Sequence, residues 1–469
     1  WPPDDYHSLA EVRRGAGLNS RGQLRRSAQD VALECLRRFG QRLRDLDEHH
    51  VRAVGTNTLR QAKNSDEFLE AAREALGHQI EVVSGQEEAR LIYLGVAHSV
   101  HDEGGRRLVI DIGGGSTECI LGTGLEPLEG DSLYMGCVAW SERWFPGGAV
   151  DEKRMRRAVI AAMQELEPIY LHYRERGWDR CVGSSGTILS IAEILRGLGR
   201  SRDVIDREGL TILRDLVVAG GNVEHLRLEG LKDDRVPVFA GGLAILLAVF
   251  EAFGLETMTP STGALREGLL YDLLGRMRHE DVRDRTIGRM ADRYHVDVAQ
   301  AERVERTALD FLESAAPGWR IEPEEARPVL RWAARLHEIG LAVRYSGYHK
   351  HGAYLLENSG MPGFSSDEQK LLAALIRGHR RKFVAGAFEH LGPGRRKRAR
   401  RLCALLRLAV LLNRSRSPRP LPPVALSVER KRILLGFPPS WLEEHALTNA
   451  DLEEERNRFR EAGLELIVV

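Results

Sequence analysis

No two of the five cysteines, Cys35, Cys119, Cys137, Cys181 and Cys403, stand in a C-x-x-C pair, so the sequence signature of a zinc cage or a disulfide framework is missing. A reducing compartment is the simplest expectation. Net charge is missing too: Lys and Arg together number 68, Asp and Glu together number 68, and no whole-protein field draws the chain to nucleic acid or membrane. Any polyanion must be met by a local patch. The charge-free apolar run Ala240–Phe250 stops at Glu251, short of the roughly 20 residues a membrane-crossing helix needs. The expectation is a protein that does not cross a membrane. No charged-then-apolar signal peptide opens the chain, and it starts at Trp1, which places the expected native start upstream. What is present is ordinary globular composition, 43% hydrophobic and 29% charged. Its 469 residues make several domains at about 100–200 residues each.

Hydrophobic spacing of three and four residues predicts an amphipathic helix over Ser27–Leu46. Apolar runs Val51–Val54 and Ile80–Val83, separated by a helical Asp66–Leu76, set a βαβ rhythm. Arg107–Ile112 and Thr117–Leu121 read as two strands joined by a glycine hairpin. A helix over Glu152–Arg176, a strand over Arg180–Val182 and a helix over Thr187–Leu198 continue the alternation, which reaches about Leu274. From Asp281 the pattern turns all-α: Asp292–Phe311, Pro328–Leu341, His351–Leu356, Asp367–His379 and Arg396–Leu412. The Pro-rich stretch Ser415–Pro423 reads as an extended linker. Beyond it lie a strand pair, Val424–Val428 and Arg432–Phe437, a helix over Ala450–Ala462 and a last strand, Glu465–Val469.

The most informative segment is Val109–Glu118, where Gly113, Gly114 and Gly115 sit between two apolar strands. Glycines leave backbone N–H groups unobstructed, so the turn can wrap a phosphate. Ser116 and Thr117 add hydroxyl donors. Asp111 and Glu118 bracket the turn and suit Mg²⁺, held directly or through water. A second segment, Ser84–Ile92, puts Glu87 and Glu88 in the first turn of a helix, where the dipole favours carboxylates in any case. A third, Gly55–Arg60, ends a strand with polar groups, Thr58 among them, and with Arg60, whose fork suits bidentate phosphate contact. A fourth, Gly183-Ser184-Ser185-Gly186-Thr187, opens a helix whose N-terminus can bind an anion.

The order and wording of these four loops resemble the actin-like, sugar-kinase-like phosphotransferase superfamily. Within it, they resemble the exopolyphosphatase / guanosine pentaphosphate phosphohydrolase family. T-N-T-L-R at Thr56–Arg60, S-G-x-E-E-A-R-L-I at Ser84–Ile92, V-I-D-I-G-G-G-S-T-E at Val109–Glu118 and G-S-S-G-T at Gly183–Thr187 carry the likeness. M-G-C-V at Met135–Val138, F-P-G-G at Phe145–Gly148, G-A-L-R-E-G at Gly263–Gly268 with Arg266, and R-W-A-A-x-L-H-E-x-G at Arg331–Gly340 extend it toward the long, multidomain members.

The resemblance implies an α/β + α fold: actin-like (ribonuclease H-like) duplicated α/β subdomains over 1–92 and 93–276, an all-α HD-like domain over 277–417 and a small C-terminal α+β domain over 418–469. It implies hydrolysis of terminal phosphoanhydride bonds in the cytoplasm, extending to the periphery of the inner membrane. The main expectation is an exopolyphosphatase acting on inorganic polyphosphate. The alternatives are a guanosine pentaphosphate (pppGpp) 5′-phosphohydrolase and a non-catalytic polyphosphate-binding protein. Glu88 matches the general base, Arg60 a phosphate clamp, Asp111 and Glu118 the holders of Mg²⁺ or Mn²⁺, with a monovalent cation assisting. Gly113–Thr117, Thr58, Gly183–Thr187 and Arg266 match the phosphate-binding set, and a homodimer with no specific nucleic-acid partner is expected.

In the helical half the family's His-Asp metal pair reads His337-Glu338, with His349, His351 and His379 nearby. Surface, polyanion-contacting histidines are the expectation, not a metal centre. The basic residues Arg377, His379, Arg380, Arg381, Lys382, Arg395, Arg396, Lys397 and Arg398 form an expected path for a long polyanion, whose affinity counterion release would supply. One departure stands out. Family members open with a D-x-G-S-N-S hairpin, which nothing in Trp1–Arg26 matches, so an N-terminally shortened chain that binds polyphosphate but turns it over slowly is expected.

Overall fold

The structure is a computed structural model that describes residues 18–19, 21–100, 104–200, 203–277, 281–383, 385–389, 391 and 393–469. Most of Trp1–Arg26, where the opening hairpin was sought, lies outside the described residues. The chain is mixed α/β with many helices and divides into two compact units, Trp1–Glu280 and Asp281–Val469.

The first unit begins with the helix Arg26–Leu43, which packs on the helix Ser65–Leu76 so closely that a Cβ on Gly40 would stand 2.6 Å from the Ala75 carbonyl oxygen. Strands β1 (Ala53–Gly55) and β2 (Ile80–Val82) flank the latter helix and pair in parallel, Ala53 opposite Ile80. Their small core is built from Phe68, Leu69, Ala72, Leu76 and Ile80.

Six further strands follow: β3 (Arg106–Ile112), β4 (Thr117–Thr123), β5 (Glu126–Leu133), β6 (Arg180–Ser184), β7 (Ile205–Asp206) and β8 (Thr257–Pro260). They form one sheet in the order β5-β4-β3-β6-β8-β7. The β5-β4-β3 meander is antiparallel, β3-β6-β8 is parallel, and β7 is antiparallel at the edge. β5 has no counterpart in the sequence expectation; its Pro127 and Gly130 weaken strand patterning, and it is a half-exposed edge strand. The helix Val236–Phe253 is apolar around most of its circumference because it fills the core beside this sheet. It starts four residues before the counted run and is, by length and composition alone, long enough to cross a membrane, yet 72% of it is buried inside the protein. Core packing accounts for its composition.

The second unit stacks the helices Val282–Arg293, Val298–Trp319, Pro323–Leu336, Tyr348–Asn358, Ser366–Gly378 and Pro393–Leu412. Asp292–Phe311 is therefore not one helix. The chain breaks where His295 takes a positive φ of 52°, and Asp297 caps the new start by accepting from the Gln300 N–H at 3.0 Å. Strands β9 (Ala425–Glu429), β10 (Arg432–Gly436) and β11 (Glu465–Val468) form a sheet in the order β11-β10-β9, antiparallel between β9 and β10 and parallel between β10 and β11. The helix Ala446–Glu461 precedes β11. Leu426, Ile433, Leu435 and Phe459 share one hydrophobic core with Trp332, Phe364 and Leu405 of the helical segment.

Candidate active site

The glycine turn comes first. β3 ends and β4 begins so that Asp111 and Glu118 sit directly opposite each other across the antiparallel pair, and both are buried. The turn is closed by the Gly113 N–H donating to the Ser116 carbonyl at 2.9 Å. Cys137 and Val138, opening the next helix, donate their N–H groups to the carbonyls of Gly113 and Gly114 at 2.9 and 3.0 Å. Gly136 packs on the turn so tightly that a Cβ there would come 2.4 Å from the backbone of Gly114. A Cβ on Gly115 would stand 2.5 Å from the Asn57 side-chain nitrogen, so glycine here lets the β1 segment reach the turn.

Glu88 approaches from the helix Gly85–Ser99, whose start is fixed by the Ser84 hydroxyl accepting from the Glu87 N–H at 3.1 Å. The two neighbouring glutamates part company at once. Glu87 is fully taken by Arg90, which donates from Nε and Nη2 to its two oxygens at 2.8 Å each. Glu88 instead accepts from Arg60 Nη1 at 2.7 Å, and the same guanidinium donates to the Val83 carbonyl at 2.9 Å. Sequence alone left the bland reading of both glutamates open; their partners separate them.

Glu118 records how crowded this place is with negative charge. Burial first, and then the charges of Glu88 and Asp111, push its carboxyl well above the usual carboxylate range, against the pull of hydroxyl hydrogen bonds from Ser132 and Ser116. The Ser132 bond measures 2.8 Å and comes from β5. Two carboxylates can suffice for a hard divalent cation when phosphate oxygens and water complete its shell. Among the described residues no group of three or more His, Cys, Asp or Glu is arranged to hold a metal ion unaided. Asp111 and Glu118 fit the two-carboxylate case.

The second glycine loop adjoins the first, because β6 lies parallel to β3 with Ser184 beside Asp111. Ser185 is held at a φ of 96°, a strained value for a residue with a Cβ. Several expected hydroxyl donors point inward instead. Thr117 donates to the Met135 carbonyl at 2.7 Å, Ser184 to the Gly263 carbonyl at 2.9 Å and Thr187 to the Ile112 carbonyl at 3.2 Å. These three hydroxyls hold the loops together. Thr58 and Arg266 are exposed. One neighbour went unnoticed in the sequence: a Cβ on Gly186 would collide with the guanidinium of Arg235, and no motif brings those residues together.

The basic residues expected to form a polyanion path in the second unit are not all at the surface. His379 is not on the surface but buried, its Nδ1 2.5 Å from the Ile376 carbonyl, and His337 and His349 are buried with it. Arg396 donates to the Glu389 and Leu391 carbonyls at 2.8 and 3.2 Å, Arg395 to Asp367 at 3.2 Å, and Arg398 pairs with Glu325. Arg380 stacks over Tyr345 and Tyr348. Arg377, Arg381, Lys382, Arg395 and Lys397 are exposed.

Comparison with known proteins identifies relatives of this chain. The model of the Ppx/GppA phosphatase family matches residues 7–277, and that of Ppx/GppA phosphatase domain III matches 282–456. The chain is 42% identical over 456 residues to the guanosine-5′-triphosphate,3′-diphosphate pyrophosphatase of Aeromonas hydrophila, covering 97% of this chain and 91% of that protein. The protein of the same description from Vibrio vulnificus is 40% identical, covering 98% and 91%. Among solved structures, an exopolyphosphatase from Cytophaga hutchinsonii superposes with a TM-score of 0.51 at 26% identity, over 56% of this chain and 87% of that one. The chain belongs to the Ppx/GppA phosphatase family, hydrolases that act on phosphoanhydride bonds.

Proposed function

We propose that this protein is a guanosine pentaphosphate 5′-phosphohydrolase, removing the terminal phosphate of the 5′ triphosphate. The observation that carries the substrate is the 42% identity, along nearly the whole chain, to a protein described as acting on that nucleotide. The gathering of Glu88, Asp111 and Glu118 beside the glycine turn supports the reaction. Phosphoryl transfer to water asks for positioning and charge neutralisation more than for covalent chemistry. Glu88 orients the attacking water and accepts its proton. Arg60, bonded to Glu88 here, would share its guanidinium with a phosphate oxygen. Other backbone N–H groups of the glycine turn and of the Ser185–Thr187 helix start would bind the transferring group. When bound, Mg²⁺ or Mn²⁺ at Asp111 and Glu118 supplies neutralisation of phosphate charge.

An exopolyphosphatase is the second reading, favoured by the Cytophaga hutchinsonii likeness and by the exposed Arg377, Arg381, Lys382 and Lys397. An HD-like character for the helical segment, a homodimer and a cytoplasmic location complete the proposal. Phosphate release from guanosine pentaphosphate and from polyphosphate, with and without Mg²⁺, tests both readings. The nucleotide should give the higher kcat/KM, and chelation should abolish release. Faster release from polyphosphate would reverse the order of the two.

A further inference from the structure

Away from the reacting groups, the first unit contains a buried ion network whose center is Asp272, on the helix Leu265–Met277. Asp272 accepts from Arg52 and from Arg90, and from Arg276 Nε at 2.9 Å. Arg90 in turn grips Glu87 with both ends of its fork, and Arg52 lies 3.4 Å from Glu81 of β2 and 3.7 Å from Glu87. Three guanidinium groups thus face three carboxylates. Burial alone would raise the Asp272 carboxyl, but Arg90, Arg52 and Arg276 bring it down to about 2, so it stays charged. Removing one carboxylate from such a set leaves cations buried without a counter-charge.

The helix carrying Asp272 is locked to the helix carrying Glu87 and Glu88. A Cβ on Gly95 would stand 2.9 Å from the Gly268 nitrogen, and one on Gly263 would stand 2.6 Å from the Ser99 Cβ, so the two backbones touch where they cross. Asp272 is therefore a fixed point relative to the start of the helix Gly85–Ser99. That start is the part of a helix least secured by its own hydrogen bonds. Consecutive residues project about 100° apart around a helix, so Glu87 faces Arg90 while Glu88 faces Arg60. A rotation of the first turn that swung Glu88 off its aim would carry Glu87 with it and strain the Arg90 fork, which Asp272 anchors from the neighbouring helix.

We propose that Asp272 is a positioning residue for Glu88, acting through Arg90 and Glu87 to fix the rotation of the first turn. The inference rests on the reading of Glu88 as the group that activates water. It goes further by assigning the aim of that carboxylate to a side chain 184 positions away in sequence, counted from Glu88 to Asp272. The test is steady-state phosphate release from guanosine pentaphosphate and from long polyphosphate by wild type, Asp272→Asn, Asp272→Glu and Arg276→Gln, with thermal unfolding of each. A folded Asp272→Asn protein should lose about 10²-fold in kcat, the scale of an ångström's misplacement. Its KM should stay within about twofold on both substrates, since ground-state binding is not what the network secures. Asp272→Glu should recover most of the loss. If Asp272→Asn does not unfold cooperatively, Arg276→Gln decides, because it removes only one donor at the edge of the network; a lower kcat at unchanged KM is expected. A lowered melting temperature with wild-type kcat in any folded variant would overturn the inference. Wild-type protein inert toward both substrates would overturn the hydrolase reading as well, which distinguishes the two failures.

Discussion

Both units bury a cluster of titratable side chains, and the two clusters solve the cost of burial in opposite ways. In the first, Glu88, Asp111 and Glu118 gather as like charges, and Glu118 is driven above its ordinary range by burial and by the other two. In the second, His337, His349 and His379 pack edge to face with ring centroids 5.7 and 6.3 Å apart, and burial keeps all three easily neutral. Neutral imidazoles fill space at modest cost. Crowded carboxylates are costlier, relieved by holding a proton or by a cation, which is why buried like charges point to chemistry more strongly than buried histidines do. The same contrast applies to the arginines. Arg60 is shared between Glu88 and a carbonyl beside the site, whereas Arg407 is sealed in the second core by Glu455 at 2.5 Å and the Arg381 carbonyl at 2.8 Å.

The contrast can be broken at four points. Glu88→Gln should cost about 10²–10⁴ in turnover, the usual loss for a general base, with melting temperature and substrate binding nearly kept; wild-type turnover would end the assignment. Glu455→Gln should do the reverse: it strands Arg407, costs about 3–5 kcal/mol of stability by denaturant unfolding, and leaves kcat in the surviving folded protein unchanged.

The histidine cluster should make the second unit sensitive to acid. His349 falls from 6.5 to about 4, through burial first and then Arg380, Lys350, Arg377 and Arg381. His337 and His379 are lowered too, chiefly by burial, with Glu338 opposing at His337 and Arg407 adding at His379. Because the unfolded chain binds these protons more readily, stability is full above about 6.5 and declines as pH falls toward about 4. Thermal melts across that window should show the decline for this unit, and His349→Asn should flatten it; a pH-independent transition would contradict the cluster's neutrality. Smallest is the effect of neutralising Arg377, Arg381 and Lys382, three exposed basic residues close together in sequence. It should weaken long polyphosphate more than guanosine pentaphosphate and flatten the salt dependence of binding; equal weakening would take these residues off any polymer path.

How much of this was legible follows the range over which each feature is encoded. The β3–β4 hairpin and the helix Glu152–Arg176 are local patterns, and both stand where the sequence put them. Asp111, Glu118 and Glu88 come together as the motifs imply, because glycines and a helix start carry their own geometry. The direction of a hydroxyl is not encoded that way: Thr117, Ser184 and Thr187 turn inward to carbonyls that belong to other segments. The break at His295 was hidden because the apolar spacing runs through it on both sides. His379 and the Asp272 network depend on partners far away in the chain, and no window of sequence contains them.

One measurement reaches the central claim most directly: phosphate release by wild type and Glu88→Gln from guanosine pentaphosphate, short polyphosphate and long polyphosphate, side by side with Mg²⁺. The wild-type protein should release phosphate with the nucleotide as its best substrate by kcat/KM, and Glu88→Gln should lose that activity while still binding the nucleotide. Release by the Glu88 variant at the wild-type rate, or none from any substrate by the wild type, would contradict a site built around Glu88, Asp111, Glu118 and the glycine turn.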